Sequence, residues 1–279
     1  MIKKLLFLVF FTLTTFLLAQ DEKPKEGWET SGVAAFNISQ VALSNWTQGG
    51  DNSLVFNVIG NFAANYYSNP WKFTNSLKIS FGKTKIGDQE LRTADNEIFL
   101  EDILSYSVGW VVDPYISNIF RTVIAKGYDY SAEPFVQTAA FLDPGYLQQG
   151  FGFIYQAIPN WHFKMGLATK ETMTNQFTKY SDDPETADIE TFKFETGIEA
   201  GIKGETTLHE NVLFTTDLGL FSAFENLSVW DVRWDNTLTA KFSEIFNVNF
   251  NFQLLYDTDQ TLKTQIKEAL QIGITYTLF

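Results

Sequence analysis

The chain has no cysteine and two histidines, His162 and His209. Disulfides, thiolate metal sites and thiol nucleophiles are therefore excluded. A general base must reach its nucleophile within hydrogen-bond distance. Nothing argues that either histidine does: His162 opens an alternating segment beside Pro159-Asn160, and His209 lies in a connection. No metal-ligand spacing, phosphate-cradling glycine loop or nucleophile elbow is present. The expectation is a non-enzyme that needs no cofactor. The groups that could do chemistry are charges of both signs on one parity of alternating segments. They are Lys72, Lys78, Arg121, Lys164, Lys170, Lys193, Glu195, Glu199, Lys203, Asp217, Asp231, Arg233, Asp235 and Lys241. Lining a bore, opposed charges would set selectivity. Paired across strands, they would instead fill it, because an unpaired buried charge is costly. Arg233 and Asp235, two residues apart, are the foremost candidate lumen pair.

A second set of candidates lies between these segments. Asn45 to Asn52 holds Trp46 and Gly49-Gly50, which suits a ligand-contacting loop or a sharp turn with an interfacial anchor. Tyr128 and Tyr130, with Tyr146 further on, bracket the longest connection. That connection could form an inward constriction or a cap on the rim. Asp88, Glu90 and Asp95 fall in one acidic loop, and Asp182, Asp183, Glu185 and Asp188 in another. Such carboxylates can bind Ca²⁺ through oxygen or simply face water.

Strands must position all of these groups. Phe246, Val248, Phe250, Phe252 and Leu254 alternate with Asn247, Asn249, Asn251 and Gln253, and Trp161, Phe163 and Met165 with His162 and Lys164. Period two means strands with one apolar and one polar face. Candidate strands are 30–42, 53–67, 71–83, 97–112, 115–126, 146–157, 161–174, 190–204, 211–224, 228–242, 245–257 and 266–278. Most exceed the roughly 5–6 residues of soluble sheets and match the roughly 9–11 needed to cross a bilayer. Tyr66, Tyr67, Trp71, Trp110, Tyr115, Tyr155 and Trp161 gather at tight turns, as an interfacial girdle would. Tight turns at 68–70, 113–114, 158–160 and 243–244 alternate with links at 43–52, 84–96, 127–145, 175–189 and 258–265. The expected fold is all-β, a transmembrane antiparallel up-and-down β-barrel of about twelve strands with both termini on the periplasmic side.

Lys3 and Lys4 precede an apolar run from Leu5 to Leu18, followed by Ala19-Gln20. This is the anatomy of a cleaved signal peptide, giving a leader over 1–19 and a barrel over 20–279 in a bacterial outer membrane. Loss of Lys3 and Lys4 takes the net charge from −13 to −15, which argues against nucleic acid. The expected partners are outer-membrane lipids, small solutes and the barrel-assembly machinery. The last would read the terminal strand Gly273 to Phe279, although Phe279 is one residue out of step with Ile274, Tyr276 and Leu278. No residue pattern marks an oligomer interface.

Four stretches carry a resemblance: Asn45 to Asn52, Trp71 to Asn75, Arg121-Thr122 leading to Gly127-Tyr128-Asp129-Tyr130, and Phe141 to Leu147. Together they resemble an uncharacterised Bacteroidetes outer-membrane β-barrel family, domain of unknown function 3078, across most of the mature chain. The resemblance implies an envelope barrel and assigns no functional residue. The expected function is a narrow channel or facilitator for small polar or amphiphilic solutes. The alternative is a structural or binding protein with an occluded lumen and functional acidic outer loops.

Overall fold

The computed structural model describes residues 26–279 apart from Trp46 and Gln48. The leader reading and the Trp46 loop contact lie outside the described residues. The strands are β1 Gly27–Val41, β2 Ser53–Ser68, β3 Trp71–Ile86, β4 Arg92–Tyr106, β5 Asp113–Thr122, β6 Gly127–Asp129 and β7 Val136–Ala139. They continue as β8 Gly145–Tyr155, β9 Trp161–Met173, β10 Phe192–His209, β11 Val212–Ala223, β12 Asp231–Lys241, β13 Phe246–Asp257 and β14 Thr261–Thr277. Twelve of them close into one barrel in the order β1, β14, β13, β12, β11, β10, β9, β8, β5, β4, β3, β2. β6 and β7 form a separate hairpin inside the β5–β8 connection. All barrel pairings are antiparallel, and β1 closes the sheet by pairing with both β14 and β2.

The polarity of the barrel is inverted relative to a soluble one. Phe151, Met165 and Leu270 on the outside are 61, 65 and 64 % exposed, whereas Asn37, Lys170 and Glu199 inside are 2, 6 and 1 % exposed. A water-soluble barrel could not present such a belt, and lipid is the solvent that favours it. The buried apolar cluster is small: Ile103, Tyr115 and Ile154. At the rim with the short turns, Trp28 packs on Tyr66 and Trp71 on Tyr106, with ring centroids 5.1 and 4.8 Å apart. Trp161 stacks on Phe163 at the same rim. The chain is a transmembrane up-and-down β-barrel.

The strands differ from the alternation pattern mainly at their ends. β4 and β5 meet through residues 107–112 rather than 113–114, since Asp113 and Pro114 already pair with Ile154 and Phe153. β3 and β4 extend further, leaving only 87–91 as their loop, so Asp95 sits on β4 and not in an acidic loop. Gly87, at φ +55°, opens this tight turn, a conformation that favours glycine. The 258–265 link likewise shrinks to 258–260. Polar residues obscured these extensions, because they continue the strands beyond the apolar belt.

Candidate functional site

Inside a barrel, side chains of strands that are not neighbours can touch only across the bore, and several charged ones do. Arg233 on β12 donates through Nη1 to Glu97 Oε1 on β4 at 2.8 Å. Those strands stand diametrically opposite in the closed order. Nη2 of the same guanidinium reaches Asp235 Oδ2 at 2.6 Å. Lys78 approaches Glu97 at 3.5 Å. Arg233 and Asp235 are thus adjacent, and the pair forms one end of a bridge across the lumen.

Toward the rim with the long loops, Lys170 is caged by carboxylates. Its Nζ lies 2.6 Å from Asp231, 3.3 Å from Asp259, 3.5 Å from Asp257 and 3.8 Å from Glu195. Lys193 joins at 2.6 Å from Asp259 and 3.2 Å from Glu195. Burial pushes the Asp259 carboxyl up, but Lys170 and the hydrogen bond from Lys193 more than offset this. It therefore ionises below the ordinary carboxylate range.

Toward the short-turn rim, Lys203 donates to Glu101 at 2.7 Å and stands 3.8 Å from Asp217. Lys164 lies 3.6 Å from Glu101 and 3.7 Å from Glu199, yet its buried Nζ has no hydrogen-bond partner among the described residues. Glu199 accepts from Tyr115 Oη at 2.5 Å, Gln148 Nε2 at 2.6 Å and Ser117 Oγ at 3.3 Å. This cradle requires Gly150, where any Cβ would overlap the Glu199 carboxylate. The wall of β13, β14, β1 and β2 is lined differently, by amides. Asn37 donates to Asn57 at 2.9 Å, Asn249 to Asn37 at 2.9 Å, and Asn57 to Gln271 at 3.4 Å.

The lumen's cavities include two that adjoin these groups. The deeper, about 140 Å³, has Phe99, Ile103, Ile119, Ile154 and Phe221 beside the charged groups. The second, about 290 Å³, extends toward the long-loop rim. Arg121, Tyr146, Arg233, Leu255 and Gln260 line both. The Arg121 guanidinium stacks over the Tyr146 ring at 4.9 Å. Among the described residues no carboxylate comes within ion-pair distance of it.

Of the remaining candidates, Lys72 lies near the short-turn rim on the lumen parity of β3. Tyr146 belongs to β8 and lines the lumen instead of an outer loop. Tyr128 and Tyr130 sit on and beside the β6–β7 hairpin, 5.9 Å apart. The Tyr130 hydroxyl accepts from the Thr93 amide at 2.8 Å, and the Arg92 guanidinium lies 5.0 Å from its ring. The hairpin is thereby pinned at the start of β4. In the 174–191 loop, Asp182 and Asp183 accept from the backbone amides of Glu190 and Glu185, both at 3.0 Å. Among the described residues no group of three or more His, Asp or Glu side chains is arranged to hold a metal. Sequence reading missed Glu97, Glu101 and Asp257, and it put Tyr115 in the interfacial girdle, whereas the ring is buried in the lumen on Glu199. The first two share the parity of Asp95, and that spacing was the available signal.

Residues 38–128 match the family model described as protein of unknown function (DUF3078), and residues 137–278 match protein of unknown function, DUF481. The first match covers less of the chain than the sequence resemblance implied, leaving Phe141 to Leu147 to the second. No curated protein matches. Among solved structures, the translocator domain of the autotransporter NalP from Neisseria meningitidis is 9 % identical. The match covers 97 % of this chain and 95 % of that one, with a TM-score of 0.41. An outer membrane channel from Pseudomonas putida F1 is 10 % identical, with coverage of 93 and 98 % and a TM-score of 0.40. The NanC porin is 9 % identical, with coverage of 89 and 100 % and a TM-score of 0.41.

Proposed function

The chain belongs to the family of proteins of unknown function DUF481, and from its lumen we propose a narrow outer-membrane channel or facilitator for small polar or amphiphilic solutes. The observation that carries this reading is the pair of cavities on either side of one shared wall containing Arg121, Tyr146 and Arg233. Among the described residues Arg121 has no carboxylate within ion-pair distance, and its guanidinium suits a solute oxygen. Phe99, Ile103 and Phe221 offer apolar surface to the body of the same solute. The apolar outer belt supports a bacterial outer-membrane location, reached by way of a leader over 1–19. β14 closes the barrel against β1, which suits recognition of the terminal strand by the assembly machinery. The reading is non-catalytic.

The test is single-channel conductance of refolded residues 20–279 in a planar bilayer. Small, stable steps are expected, and Arg233→Ala, which removes the bridge to Glu97, should raise them by about twofold or more. A second reading rests on that same bridge, which crosses the full bore and could leave the lumen closed. A protein that is inserted and folded, as shown by its heat-dependent gel shift, yet silent would favour this second reading. The acidic outer loops would then carry a structural or binding role.

A further inference from the structure

The apolar belt carries its longest run of polar side chains on one side. On the outward parity of β3, β4, β5 and β8 stand Asn75, Asp102, Asn118 and Gln149. The register sets them side by side: Asn75 opposite Asp102, Asp102 opposite Asn118, and Asn118 opposite Gln149. Thr169 and Thr196 continue the row on β9 and β10. Apolar side chains flank it above and below: Leu100 and Leu104 about Asp102, Ile116 and Phe120 about Asn118, Leu147 and Phe151 about Gln149. Asp102 is four residues from Tyr106 of the short-turn girdle, about 10 Å at the usual rise and tilt of such strands. The row is therefore at hydrocarbon depth. Asn75 Nδ2 donates to Asp102 Oδ1 at 2.6 Å, and among the described residues the hydrogen bonding of Asn75, Asp102, Asn118 and Gln149 stops at that pair. On the opposite wall the outward parity sets Leu238, Phe250 and Leu270 side by side; its polar members are Asn236, which accepts from the Thr216 hydroxyl at 2.9 Å, and Glu268.

We propose that this stripe is where two copies of the chain pack against each other within the membrane. Hydrocarbon offers no donor or acceptor, so a carboxylate and three amides facing it are unfavourable unless another polypeptide supplies partners. That polypeptide must carry polar groups at the same depth. A second copy does so by symmetry, about a two-fold axis along the membrane normal. Each Asn or Gln amide both donates and accepts, so the stripe is complementary to itself, and the Asp102 carboxylate accepts from an amide of the second copy. The row is perpendicular to tilted strands and climbs obliquely across the belt. Two facing stripes cross near their middle, which brings the two Asn118 side chains together.

Because the natural chain has no cysteine, single-cysteine variants report proximity cleanly. Asn118→Cys and, on the opposite wall, Phe250→Cys are inserted in lipid vesicles and oxidised with copper phenanthroline. The expected result is a disulfide-linked dimer from Asn118→Cys, formed at least about tenfold faster than from Phe250→Cys. In mild detergent the natural chain should run as a dimer. The triple variant Asp102→Leu, Asn118→Leu, Gln149→Leu should run as a monomer with its heat-dependent gel shift retained. Cross-linking at 118 no faster than at 250, or a monomeric natural chain, overturns the proposal. The cysteine comparison decides the matter even if the triple variant fails to fold.

Discussion

Lys170 is the side chain on which the most interactions converge. Four carboxylates from β10, β12, β13 and the β13–β14 turn lie within 4 Å of one ammonium, and Phe221 packs beneath it with its ring centroid 5.7 Å away. Removing one partner of a buried pair leaves the rest uncompensated, which outweighs the modest value of the pair itself. Lys170→Met is therefore expected to cost about 3–5 kcal/mol, read as a lower midpoint in urea unfolding from lipid vesicles. An unchanged midpoint would mean that water or counterions already balance the cage. Lys164 is a different case, since among the described residues its Nζ has no hydrogen-bond partner although two carboxylates are near. Its buried ammonium is held by the charge of Glu101 and Glu199 alone.

At the scale of the elements, strand ends are tied by loop carboxylates. Asp259 joins the β13–β14 turn to Lys170 and Lys193, and its carboxyl ionises below the ordinary range because of them. A lowered folded-state value means stability that is present above the unfolded value of about 3.9 and lost as pH falls through the folded one. The natural chain should be more stable than Asp259→Asn at neutral pH, with the difference closing below about pH 4. Urea midpoints measured at several pH values would show this. A gap independent of pH would mean that Asp259 contributes through packing alone. Among the connections, the β5–β8 link is held by the Tyr130 hydroxyl and by Asn96, whose Oδ1 accepts from the amides of Ile124 and Ala125. It packs as a cap over the start of β4.

For the molecule as a whole, folding exchanges water for lipid outside and for paired polar groups inside. The outer belt is where a charge is least tolerated. Leu270→Arg, at the middle of β14 and facing outward, is expected to destabilise the barrel by about 2–4 kcal/mol in vesicles. A substitution tolerated without loss would place this wall in a protein contact or outside the hydrocarbon. The Asp102 stripe is the counterpart of this expectation: a carboxylate at comparable depth that the natural sequence retains. Closure of the barrel also leaves no unpaired sheet edge in the membrane, as a spanning sheet requires.

The sequence by itself determined the twelve strands, their antiparallel order and the parity of their faces. Strand periodicity is local, and polar tracts such as Asn247 to Gln253 repeat it without interruption. It also placed Arg233, Asp235, Glu195, Glu199 and Lys164 on one face, because parity follows from position alone. Tertiary structure decided which charges meet. Arg233 reaches Glu97 from the far side of the bore, and Lys170 gathers Asp257 and Asp259 from more than 85 positions away. No spacing rule connects strands that touch only through the lumen. The same limit hid the outer stripe. Asn75, Asp102, Asn118 and Gln149 each look like an isolated exception to alternation in their own strand, and only the register of four neighbouring strands lines them up.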